Sequence, residues 1–158
     1  MGQEIERKYL VNKDKWQRIH KGPGQLYRQG YILTDPQKTI RVRIADSQGW
    51  LTIKGLSVSA TRPEYEYPIP PQDAEELLDK FAAAVITKVR FRIPFKNKTW
   101  EVDEFLSDNA GLVIAEIELA SEDEHFDLPD WVDQEVTSEE KYYNSNLSVN
   151  PYKNWRYL

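Results

Sequence analysis

Apolar and charged residues alternate one for one along much of this chain, the period of extended strands rather than of helices. Glu4-Ile5-Glu6-Arg7-Lys8, Arg41-Val42-Arg43, Glu64-Tyr65-Glu66, Lys88-Val89-Arg90-Phe91-Arg92, Glu101-Val102-Asp103 and Glu116-Ile117-Glu118 place charge on one strand face and mostly apolar groups on the other. Strands are predicted over Gln3 to Leu10, Gln25 to Leu33, Thr39 to Ile44, Trp50 to Lys54, Arg62 to Ile69, Val85 to Pro94, Thr99 to Phe105 and Leu112 to Leu119. Gly22-Pro23-Gly24, Asp35-Pro36, Ser47-Gln48-Gly49, Lys96-Asn97-Lys98 and Asp108-Asn109-Ala110-Gly111 read as the turns and connections between them. Helical spacing appears after Pro70-Pro71, where Ala74, Leu77, Leu78 and Phe81 share a face across Asp73 to Phe81. Lys13 to His20 reads as a short helix or turn, and Ser121 to Asp130 as a connector. A last helix is predicted from Thr137, with Glu140 at the capping-box position.

A half-buried sheet normally has one dry face and scattered polar groups on the other. Here the polar face carries regular clusters of both signs. Closure into a barrel lets that face line a wet lumen while the apolar face packs against helices. Two sheets could form a sandwich, but burying the alternating charge clusters favours closure, and an open sheet would expose edges and scatter the same ligands. The expected fold is therefore mainly β: a closed eight-stranded antiparallel β-barrel with flanking helices, a single domain over residues 1–158.

Composition narrows the partners. A hydrophobic content of 40% supports a packed core, yet no run of about 18 apolar residues exists to span a membrane. The start Met1-Gly2-Gln3-Glu4 lacks the pattern of a secretory signal, and cysteine is absent, so a cytoplasmic location is expected. A net charge of −5 disfavours broad attraction to nucleic acid or an anionic membrane. The expected partner is a small molecule, with a homodimer left open. His20 and His125 are isolated, and no zinc spacing, glycine-rich phosphate loop or dinucleotide fingerprint occurs. Tyr142, Tyr143, Tyr152, Trp155 and Tyr157 lack a basic strip and read as terminal packing rather than a base-stacking surface.

Glu4, Glu6 and Lys8 share one side of the first strand, at steps of about 6.7 Å. Glu116 and Glu118 repeat the arrangement and can face the first pair across a cavity. Four oxygen donors of this kind suit Mg²⁺ or Mn²⁺. Arg41, Arg43, Lys54, Lys88, Arg90 and Arg92 supply the complementary charge, arginine through paired donors and lysine as a mobile point charge. Arg28 and Arg62 are weaker additions that could instead hold Glu64 or Glu66. Glu64, Glu66, Glu101 and Asp103 could order the cations, support metal-bound water or hold a second ion, and the sequence does not divide those roles. Ordinary surface ion pairing is the competing reading.

In order and spacing these motifs resemble the CYTH superfamily, the triphosphate tunnel metalloenzymes. The opening Glu4-Ile5-Glu6-Arg7-Lys8 is similar to its ExExK signature, and the series runs on through Arg41-Val42-Arg43, Lys54, Glu64-Tyr65-Glu66, Lys88-Val89-Arg90-Phe91-Arg92, Glu101-Val102-Asp103 and Glu116-Ile117-Glu118. The resemblance covers nearly the whole chain and implies an eight-stranded tunnel for triphosphate-containing substrates and divalent cations. It implies Glu4, Glu6, Glu116 and Glu118 as metal-facing positions, and Asp103 or Glu101 could assist one ion through oxygen or water contacts. Lys8, Arg41, Arg43, Lys54, Lys88, Arg90 and Arg92 become the phosphate-facing ones. Lys8, Glu4 and Glu118 are the expected catalytic residues, with Glu64, Glu66 and Glu101 auxiliary. The Thr137–Asn144 segment is similar to one that closes a tunnel end, and Lys141 is assigned a terminal-phosphate contact. The expected reaction is hydrolysis of inorganic triphosphate to diphosphate and phosphate. The alternatives are thiamine triphosphatase, nucleoside triphosphatase, adenylate cyclase, or a noncatalytic polyphosphate-binding module.

Overall fold

The computed structural model describes residues 2–35 and 37–155. Pro36 of the predicted Asp35-Pro36 connection and Tyr157 of the aromatic group lie outside the described residues. In chain order the elements are β1 (Gln3–Val11), α1 (Lys13–Arg18), β2 (Gln25–Asp35), β3 (Lys38–Ala45), β4 (Gln48–Gly55), β5 (Thr61–Ile69), α2 (Pro71–Phe81), β6 (Val85–Phe95), β7 (Lys98–Phe105), β8 (Val113–Glu118), β9 (Val132–Glu135) and α3 (Asn144–Val149). The eight predicted strands pair in the order β5-β4-β3-β2-β6-β7-β8-β1, and β1 then pairs with β5 to close the barrel. The pairings are antiparallel.

The closing seam is short. Gln3, Glu4 and Ile5 of β1 meet Pro63, Arg62 and Thr61 of β5. Farther along the same edge of β1, Tyr9 and Val11 pair with β9 instead. This ninth strand was not predicted, because Val132-Asp133-Gln134-Glu135 is too brief and polar to show a period. It continues the wall where β5 stops.

Local chemistry sets the helices. Asn12 Oδ1 accepts from the Lys15 backbone N–H at 3.0 Å and starts α1. Pro71 opens α2, where its missing N–H costs nothing. The buried Ala74 and Leu78 of α2 pack on Val42, Ile44, Leu51 and Ile69 of the barrel's outer face. Gly49 permits that approach, since a Cβ there would stand 2.8 Å from Ala74 Cβ. The predicted Ser47-Gln48-Gly49 turn therefore moves back: Asp46 and Ser47, at φ 50° and 62°, make the reversal, and Gln48 and Gly49 belong to β4.

A larger outer core joins Tyr9, Val11, Trp100, Val102, Ala115 and Ile117 of the barrel to Trp16 of α1 and to Trp131. Trp16 stacks at 5.1 Å from Trp131 and donates its indole N–H to Glu104 at 2.7 Å, so its polar edge stays satisfied while buried.

The last predicted helix is corrected. Thr137 caps nothing: its hydroxyl accepts from the Lys8 backbone N–H at 3.1 Å and donates to Glu135. A short 3-10 turn follows over Glu140–Tyr142, and α3 begins only at Asn144. Among the described residues no helix is long and apolar enough to cross a membrane.

Candidate active site in the barrel lumen

Inward positions follow the predicted alternation, but their chemistry changes along the barrel. Lys8, Lys88 and Glu116 line the lumen, whereas Leu10, Ile86 and Ile114, two residues on in the same faces, are apolar. With Phe105, Val136, Tyr142 and Leu147 of α3 they form a dry floor that plugs one end. Above it lies a cavity of about 530 Å³, lined almost wholly by polar and charged side chains.

Just above the floor, Asp103 anchors two cations. Arg90 grips it through two donors at 2.8 and 2.9 Å, and Lys88 stands 2.7 Å away. Burial alone would raise the Asp103 carboxyl, but Arg90 and Lys88 pull it down to about 2. For Lys88 the balance runs the other way. Burial, joined by repulsion from Arg90 and Arg43, brings its ammonium down to about 7 against the attraction of Asp103. Asn144, the first residue of α3, accepts from Lys88 at 3.0 Å and from Gln29 at 3.1 Å, and Gln29 in turn accepts from Arg43 at 3.0 Å.

On β1 the Lys8 ammonium sits between Glu6 and Glu116, 3.0 Å from the former and in direct contact with the latter. Burial opposes its charge, yet Glu116, Glu6 and Glu4 hold its pKa well above the ordinary lysine value. Glu4 binds Lys54 at 3.0 Å and Arg62 at 3.1 Å. Burial would raise Glu4, but Lys54, Arg62 and Lys8 bring it to about 2. Arg41 reaches Thr52 at 3.1 Å and Glu66 at 3.2 Å, while its buried Nε has no partner among the described residues. Arg43 and Arg90 flank the Tyr27 ring at 4.8 and 4.9 Å.

The structure thus brings Glu4, Glu6, Lys8, Arg41, Arg43, Lys54, Glu64, Glu66, Lys88, Arg90, Arg92, Glu101, Glu116 and Glu118 to one cavity wall, and Arg62 joins them. Asp103 stands behind that wall with both oxygens committed to Arg90 and Lys88. Lys141 is corrected. It lies outside the cavity, its ammonium 4.9 Å over Trp155 and 5.1 Å over Tyr142, because the turn before α3 directs it to the aromatic outer surface. Arg28 also lies outside, paired with exposed Glu75. Sequence reasoning missed Gln25, Gln29 and Asn144 as site residues. Gln25 and Gln29 share the inward period of Tyr27 and Tyr31 on β2, a signal invisible to a search for charge.

The donor set has the chemistry a divalent cation requires. Glu6 is the direct cross-strand partner of Glu118, and Lys8 that of Glu116. Burial pushes the Glu6 carboxyl up, and Glu116 and Glu4 push it further against the pull of Lys8. Glu118 makes no ion pair among the described residues. As the side chains stand, no three acidic groups among the described residues converge on one ion, and the Lys8 ammonium occupies the space between Glu6 and Glu116. Hard carboxylate oxygens at this density are the donor type of a divalent cation.

Comparison with known proteins places this arrangement. An inorganic triphosphatase of Acetivibrio thermocellus is 50% identical over 157 residues, covering 99% of both chains. One of Nitrosomonas europaea is 33% identical over 155 residues, covering 92% of this chain and 97% of its own. A crystal structure of an inorganic triphosphatase superposes with a TM-score of 0.64 at 28% identity, over 92% of this chain and 97% of that one. The CYTH domain matches residues 2–150, and the chain belongs to the CYTH domain family.

Proposed function

We propose that this protein is an inorganic triphosphatase, hydrolysing triphosphate to diphosphate and orthophosphate with Mg²⁺ or Mn²⁺. The observation that carries the reading is a plugged polar lumen in which rows of arginine and lysine face a wall of carboxylates. Simple anion binding would be weakened by Glu4, Glu6, Glu116 and Glu118; metal-assisted hydrolysis uses them. A bound divalent cation would neutralise the chain and lower the pKa of an attacking water. Glu6, Glu116 and Glu118, with Glu4 beside them, would hold it. Lys8, kept charged by its neighbours, polarises a phosphoryl oxygen rather than accepting a proton. Arg41 offers its unpartnered Nε, and Arg43 and Arg90, held apart by Tyr27, grip separate phosphoryl groups. Water adds to the terminal phosphorus, the anhydride P–O bond breaks, and diphosphate leaves into the same cationic row.

The names of the two relatives support the choice of substrate. So does Tyr27, whose ring already carries the guanidinium groups of Arg43 and Arg90 at 4.8 and 4.9 Å and so offers a nucleobase less room to stack. The test is a panel of inorganic triphosphate, ATP and thiamine triphosphate with each metal, following orthophosphate and cyclic AMP. Fastest orthophosphate release from triphosphate is expected. Tight binding without product under every metal condition, or preferential cyclisation of ATP, overturns the proposal.

A further inference from the structure

We propose that Gln25 sets the chain length this cavity accepts, by fixing Arg92 at the mouth; the inference rests on the triphosphatase reading above. Arg92 is the outermost cation of the inward row Lys88, Arg90, Arg92 on β6, and its side chain is 49% exposed at the end opposite the floor. An arginine free at such a rim would swing with its ligand and follow a phosphate chain of any length. This one is tied on three sides. Its Nη1 donates to Gln25 Oε1 at 3.0 Å, and its Nη2 donates to the Tyr27 hydroxyl at 2.8 Å and pairs with Glu101 at 3.4 Å.

Gln25 is itself pinned. Its amide N–H donates to Asp46 at 2.6 Å, and Asp46 sits in the β3–β4 turn, where two successive left-handed residues leave little freedom. A single hydrogen-bonded rail therefore runs along the rim from the turn through β2 to β6 and β7. Gln25 is the one link able to donate to a carboxylate and accept from a guanidinium at once. The cationic row ends at a fixed point. A phosphate chain that continues past Arg92 next meets the carboxylates of Glu101, which pairs with Arg92, and of Asp46, which holds Gln25, and these repel it. Chains of three phosphates end before that repulsion begins. Gln25 is a positioning residue in this scheme, acting on substrate through Arg92.

The readout is the ratio of kcat/KM for inorganic tetraphosphate to that for inorganic triphosphate. Gln25→Ala removes one of the three ties and frees Nη1 of Arg92 to turn outward, and the ratio is expected to rise about tenfold, the worth of one ordinary orienting hydrogen bond. Gln25→Glu places two carboxylates side by side at the rail and should also disturb the ratio. Adding Asp46→Asn to it restores a donor facing an acceptor, so the double variant should return to the wild-type ratio. Asp46→Gly, whose backbone suits the left-handed turn, removes the anchor and should shift the ratio the same way by less, a test that survives if Gln25→Ala does not fold. An unchanged ratio in Gln25→Ala or, failing its folding, in Asp46→Gly overturns the proposal, as does a double variant no closer to wild type than Gln25→Glu. Wild-type protein that releases no phosphate from triphosphate overturns the functional reading itself, a separate result.

Discussion

The Lys88 ammonium stands 2.7 Å from the Asp103 carboxylate, and both residues are 1% exposed. With Arg90 they form a buried group in which one anion serves two cations. Removing the anion leaves Lys88 without its carboxylate and Arg90 with only Glu116 and Glu101. Asp103→Asn is therefore expected to lower unfolding free energy by about 3–5 kcal/mol, read by chemical denaturation at neutral pH. The pH dependence has a fixed sign. A carboxyl brought down to about 2 in the folded state, from about 3.9 unfolded, contributes stability that is present above pH 4 and lost as pH falls from there toward 2. Wild-type stability in the Asn variant would remove Asp103 as the anchor.

Lys88 predicts a proton movement on binding. Held at about 7 without a ligand, it is largely neutral at pH 8 and largely charged at pH 6. A polyanion entering above it restores the charged form. Binding at pH 8 should take up a proton, approaching one per site, and the uptake should fade as pH drops below 7. Calorimetric titration in buffers of different ionisation enthalpy measures this directly. Lys88→Met should abolish the uptake, and a wild-type binding enthalpy independent of buffer at pH 8 would contradict the prediction.

The barrel was legible in the sequence because like charges two residues apart, with apolar neighbours, mark a face that must meet water inside a closed wall. Glu4, Glu6 and Lys8 announce this together, as do Lys88, Arg90 and Arg92. The floor was not legible. Leu10, Ile86 and Ile114 sit in the same inward rows as the charges, so alternation alone cannot say that the lumen turns dry at that end. Their partners Val136, Tyr142 and Leu147 come from a segment of short turns that has no period to detect. Thr137 matched a capping pattern, but its hydroxyl had a stronger use on the Lys8 backbone. Neutral site residues such as Gln29 and Asn144 carry no charge signal, and only three-dimensional proximity reveals the chain linking Arg43, Gln29, Asn144 and Lys88.

Leu147 reports on that floor. It is 1% exposed on α3 and packs in the apolar plug, three residues from Asn144. Leu147→Ala should cost about 2–5 kcal/mol, the range for a leucine lost from a packed core. Because α3 also carries Asn144, loosening it should raise KM for triphosphate more than it lowers kcat. Denaturation and steady-state kinetics on one preparation give both numbers. An unchanged stability would place Leu147 outside the load the floor carries.

Glu118 separates metal chemistry from folding. It is exposed at the end of β8, faces Glu6 across the pair, and makes no ion pair among the described residues. A structural glutamate in that position would be dispensable. If it instead completes a divalent site, Glu118→Gln keeps the shape but removes the negative charge and one of the two donor oxygens. Stability should then stay within about 0.5 kcal/mol of wild type. The Mg²⁺ or Mn²⁺ concentration that gives half-maximal phosphate release should rise at least about tenfold. Arg41→Ala is the contrasting case, since it removes a phosphate donor and should raise KM while leaving the metal midpoint in place. Metal titrations of turnover for both variants, beside denaturation curves, distinguish the two roles. A Glu118→Gln protein with the wild-type metal midpoint and turnover would take this residue out of the site and leave Glu4, Glu6 and Glu116 to hold any cation alone.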